Sequence, residues 1–138
     1  MSEDLKAIIK RSVKAWNTGD LTIVDEIFAK DFVNHHPSDP SQSSDLDSYK
    51  HSISESRRAM PDLHLEIKDL IAEDDKTVNR WVASGTMTEE AFGIPATGKK
   101  ATWTGMTINR YESGKIVESW WNEDIYGMLQ QFGVIPAE

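Results

Sequence analysis

The chain has 138 residues, 38% hydrophobic and 28% charged, which describes one globular domain long enough to bury a core. Its 23 acidic residues outnumber 15 basic ones for a net charge of −8, and no Lys/Arg cluster offsets them, so nucleic acid and anionic membrane are not expected partners. It contains no cysteine, which excludes disulfides and thiolate chemistry and fits a cytoplasmic setting.

The N-terminus, "MSEDLKAIIKRSVKAW", mixes charged and apolar residues at helical spacing. It lacks the uninterrupted apolar stretch of a secretory signal. Leu5, Ile8, Ile9, Val13 and Trp16 form one helical stripe. Gly19 suits the stop of that helix, and Asp20 the cap of the next. Ile23, Val24, Ile27 and Phe28 predict a second, short helix. "DFVNHHP" reads as a brief strand ended by Pro37, and residues 37–44 as a Pro/Ser-rich loop. Ser44 is a candidate cap for a third helix carrying Leu46, Tyr49, Ile53 and Met60, and Pro61 ends it.

Beyond residue 62 the period changes from helical to alternating. Strands are predicted over 63–72, 77–87, 101–111 and 116–124, with turns at "EDDK" and "ESGK" and a Gly/Pro-rich connection, "EEAFGIPATGKK". A helical turn or two over 126–132 precedes Gly133. Helices first and a strand meander afterwards predict an α+β class. The expected architecture is a cone-shaped α+β barrel. A curved, mostly antiparallel sheet wraps the three N-terminal helices, a short C-terminal helix closes it, and the chain forms a single domain over 1–138. The open end of such a cone is the natural place for a small molecule.

Asp124 is the first chemical candidate. Strand alternation puts Glu118, Trp120, Asn122 and Asp124 on one side, and a carboxylate beside indole surface loses hydration, which raises its pKa. Such a group can take and return a proton near neutral pH. The plain alternative is that Asp124 caps the helix that follows, which pattern alone favours. His35 and His36 point to opposite faces of a strand, so together they do not grip one metal, and no third ligand stands nearby. One histidine is expected to face the pocket and the other solvent or a partner chain. Arg80, in an otherwise apolar strand, needs an acidic partner if it points inward. Trp120 and Trp121 must face opposite ways, one towards a pocket and one towards the outer sheet face. That outer face is a candidate interface for a homo-oligomer, dimer or tetramer. No phosphate loop or dinucleotide fingerprint occurs, so neither a metal nor a nucleotide cofactor is expected.

The pieces "AWNTGD" (15–20), "FVNHHP" (32–37), "GIPATGKK" (93–100) and "GKIVESWWNEDIYGMLQQFG" (114–133) occur in order along nearly the whole chain. With them the chain resembles the SnoaL-like polyketide cyclases of the nuclear-transport-factor-two-like superfamily. Trp120, Asp124, Gly127, Leu129, Gln130, Gln131 and Gly133 carry its most specific part. The resemblance implies a cofactor-free intramolecular aldol ring closure on a hydrophobic small molecule. It makes Asp124 the general acid/base and His35 a second catalytic group, with Asn34, Trp16, Arg80, Met106, Ile108 and Trp120 lining the substrate site. Two departures stand out. Met87 replaces a family histidine, and Met106 and Ile108 occupy a strand face where cyclases place polar groups, which implies a greasier pocket. Two other readings share the fold: an epoxide hydrolase of the limonene-epoxide type using Arg80 and Asp124, and a non-catalytic ligand-binding protein. For the former a second aspartate is missing, since Glu118 is roughly 20 Å from Asp124 along an extended strand.

Overall fold

A computed structural model describes residues 2–36 and 45–136. The loop expected at 37–44, and with it the Ser44 cap, lies outside the described residues. Helix α1 (Ser2–Thr18) ends where Gly19 adopts φ +79° and its N–H bonds the carbonyl of Ala15 at 2.8 Å. Asp20 then caps α2 (Leu21–Ile27) by accepting the Thr22 N–H. Helix α3 (Leu46–Ala59) is capped by Asp45, whose carboxylate accepts the Ser48 N–H. All three helices begin or end on groups that satisfy backbone atoms no helix can satisfy itself.

The strands are β1 (Phe28–His35), β2 (His64–Glu73), β3 (Lys76–Thr86), β4 (Lys100–Glu112) and β5 (Lys115–Glu123), followed by α4 (Ile125–Gln131). They form one curved, unclosed sheet in the order β1-β5-β4-β3-β2. Three neighbouring pairs are antiparallel and β1 runs parallel to β5, so the sheet is mixed. β1 starts at Phe28, earlier than its sequence pattern suggests. Phe28 turns extended while its N–H still caps the Val24 carbonyl, and "AKD" then continues as a charged sheet edge without alternation.

The helices cover one face of the sheet only. Along β4, Ala101, Trp103, Gly105, Thr107, Asn109 and Tyr111 are buried, and the residues between them are more open. Across the middle of the inner face runs a polar belt. Thr77 and Tyr111 hydroxyls meet at 2.9 Å, Trp81 Nε1 donates to Thr107 Oγ1 at 3.0 Å, and Ser119 donates to Asn109. On one side of it Phe28, Phe32, Tyr49 and Ile53 pack with α1 and α2 residues. On the other, Met60, Trp81, Trp103 and Phe132 surround a cavity. Gly105 pairs with Trp81 across β3–β4, and a Cβ at Gly105 would overlap the Trp81 ring. The glycine is what lets that indole lie flat on the strand.

Candidate functional site

The cavity, of about 170 Å³, lies at the end of the sheet where β3, β4 and β5 meet α4. Trp16 comes from α1, Trp81, Ala83 and Met87 from β3 or its end, Trp103 from β4 and Trp121 from β5. Helix α4 adds Met128 and Leu129, and the β3–β4 connection adds Ala91, Phe92 and Ile94. Among the described residues the wall is aromatic and aliphatic, with one carboxylate, that of Glu123.

Glu123 is the last residue of β5, and its side chain is 13% exposed. Its Oε1 accepts the Trp103 indole N–H at 2.9 Å, and its Oε2 lies 2.6 Å from His36 Nε2. His36 follows β1 directly and is 5% exposed at its side chain. Parallel pairing of β1 with β5 sets His35 opposite Trp120, which carries His36 alongside Trp121. The His36 and Trp121 rings stack at 6.4 Å with planes 10° apart. Both carboxylate oxygens are thus held in place. Two further indoles are anchored as well: Trp16 Nε1 donates to the Tyr49 hydroxyl at 2.9 Å, and Trp81 to Thr107. Trp121 Nε1 is buried and has no hydrogen-bond partner.

Several residues singled out from the sequence lie elsewhere. Asp124 is exposed and is not part of the cavity wall; its Oδ1 accepts the Gly127 N–H at 2.9 Å as the cap of α4. The carboxylate turns back over the helix because the strand has already ended. His35 points to the outer sheet face, stacks on Trp120 at 5.4 Å and bonds Glu118 at 2.8 Å. The His35 hydrogen bond, with the nearby Arg110 guanidinium, holds the Glu118 carboxyl below the usual carboxylate range. Arg80 is on the same outer face, donating from Nε to Asp69 at 2.7 Å. Met106 and Ile108 are exposed there too. Period-two alternation groups Glu118, Trp120 and Asn122 correctly, but the helices cover the other face, which carries Ser119, Trp121 and Glu123. Of the expected substrate-site residues, Trp16 lines the cavity. Asn34 is buried, with its Oδ1 unpaired, but is not in the wall.

The pattern reading missed Glu123, and of the two histidines, one of which it expected to face the pocket, it favoured His35 where the structure turns His36 inward. The signal for Glu123 was its two-residue spacing from Trp121 at the strand end. Nothing in the sequence brings His36 to it. Among the described residues no group of three or more His, Asp or Glu gathers to hold a metal ion, and no helix is long and apolar enough to cross a membrane.

A model of the SnoaL-like polyketide cyclase family matches residues 6–132. No curated protein matches the chain. Among solved structures, IdmH from Streptomyces antibioticus, a candidate polyketide cyclase, is 30% identical. The match covers 94% of this chain and 98% of that one, with a TM-score of 0.81. AclR from Streptomyces galilaeus, a candidate hydroxylase, is 26% identical over 99% of this chain and 89% of its own, with a TM-score of 0.87. TsrD from Streptomyces laurentii is 25% identical over 98% of both chains, with a TM-score of 0.88.

Proposed function

The chain belongs to the SnoaL-like polyketide cyclase family, and we propose that it closes a ring in a hydrophobic small molecule by cofactor-free proton transfer at Glu123. Glu123 takes a proton from a carbon flanked by carbonyls. The resulting enolate attacks a carbonyl of the same molecule, and Glu123 returns its proton to the new alkoxide. The observation that carries this reading is a carboxylate held at both oxygens inside an aromatic cavity. A fixed carboxylate needs no reorganisation as charge moves, and an apolar wall strengthens each electrostatic contact it makes. His36 keeps the carboxylate aimed.

The resemblance assigns the proton to Asp124, but the exposure of that residue and its capping bond support Glu123 instead. The epoxide-hydrolase reading loses support because Arg80 pairs with Asp69 outside the cavity. The non-catalytic reading loses support because the cavity is open and holds an anchored carboxylate. The test is turnover of a panel of β-dicarbonyl polyketide esters by the wild type, Glu123→Gln and Asp124→Asn. Loss of turnover in the first variant with retention in the second supports Glu123; the reverse pattern restores Asp124.

The outer sheet face supports assembly as a homo-oligomer. Val33, Met106 and Ile108 are exposed there beside the His35–Trp120 stack, an apolar patch with charged neighbours of both signs, Arg80, Asp69, Arg110 and Glu118.

A further inference from the structure

In the connection between β3 and β4, Ala91 and Ile94 exchange two backbone hydrogen bonds, of 3.1 and 2.8 Å. The two residues between them have φ of +55° (Phe92) and +76° (Gly93). This is a tight two-residue turn with both central residues left-handed, a geometry that favours Asn, Asp or Gly. Gly93 adopts it freely, but a bulky side chain at Phe92 is strained there.

Core packing does not account for that strain. Phe92 is 44% exposed, yet it is among the residues that line the cavity. The flanking Ala91 and Ile94 are buried and also line the cavity, so the turn is anchored on both sides while its tip carries the ring. Strain that persists at a ligand-facing position is a sign of function rather than of folding. We propose that Phe92 is a specificity-determining residue: it covers the cavity mouth and packs on the planar apolar part of the substrate, which buries its exposed ring. The proposal rests on the cavity being the substrate site and adds what that substrate must offer. A cavity of about 150 Å³ in another protein accepts benzene. One ring therefore fits inside this one, and the rest of a larger substrate emerges beneath Phe92.

The probe is 2-naphthol, titrated by tryptophan fluorescence onto the wild type, Phe92→Asn and Phe92→Gly, with thermal unfolding of each. Both substitutions relieve the left-handed strain, so their unfolding midpoints should equal or exceed that of the wild type. Both remove the ring, so the dissociation constant should rise about tenfold, the scale of burying one aromatic face. An unchanged dissociation constant in both variants overturns the proposal, as does absence of binding to the wild type. A lower midpoint in both also overturns it, because the ring would then be holding the fold. Binding of 2-naphthol requires no proton transfer. Failure of the Glu123 mechanism would therefore leave this result standing, and the converse also holds.

Discussion

His36 Nε2 stands 2.6 Å from Glu123 Oε2, although the two residues are 87 positions apart in the chain. The contact exists because β1 joins the sheet parallel to β5, with its last residue, His35, opposite Trp120 near the end of that strand. It places a buried imidazole behind the Glu123 carboxylate of the cavity wall.

Glu123→Gln keeps the size of the side chain but cannot accept and return a proton. Turnover should fall about 100-fold or more, the usual scale of general acid–base help. Asp124→Asn should be nearly silent in both turnover and stability, since Asn caps a helix about as well as Asp. Asp124→Ala should lower stability by about 1 kcal/mol while leaving most activity. Steady-state kinetics and urea unfolding on the three variants decide the matter.

Gly105→Ala tests the packing that shapes the cavity. The new methyl meets the Trp81 ring, which must tilt into the cavity or push β3 away. Overpacking of this kind lowers stability by about 1–3 kcal/mol. Weaker 2-naphthol binding should accompany the loss. A variant as stable as the wild type, with unaltered binding, would show that the ring has room elsewhere.

Alkaline pH should destabilise the fold in a defined window. Burial pushes the Tyr49 phenol up to about 12, and burial does the same to Tyr111. An unfolded tyrosine titrates near 10. Below about 10 both states stay protonated and the stability is fully present. As pH rises from there through about 12 the unfolded state loses protons first, so stability falls. Tyr49→Phe should flatten that decline by about half, because Tyr111 keeps its share. Urea unfolding at pH 9 and pH 11 reads the slope directly.

The outer sheet face should lose its partner when charged. Met106, 50% exposed, pairs across the sheet with Asn122, and Ile108 with Trp120. The double variant Met106→Glu, Ile108→Glu should sediment as a monomer at micromolar concentration, and the wild type as a larger species. A monomeric wild type would remove the basis for an interface there.

The residues themselves carried much of the architecture. The change of period near residue 62, the turn residues Gly19 and Gly114, and the alternation along β4 led to helices first and a meander after. Asp20 capped its helix as its position required. The start of β1 was not legible, because "FAKD" has no alternation and its partner lies almost 90 residues downstream.

For the site, local pattern determined which side chains share a strand face: Glu118 with Trp120, and Trp121 with Glu123. It did not determine which face is the inside, because both carry aromatic and acidic residues and alternation alone is symmetric between them. That choice fell to the tertiary structure, where α1, α3 and α4 cover the face of Trp81, Trp103 and Trp121 and so desolvate Glu123 rather than Asp124. Parallel pairing at the sheet edge, a contact between distant segments, then supplied His36.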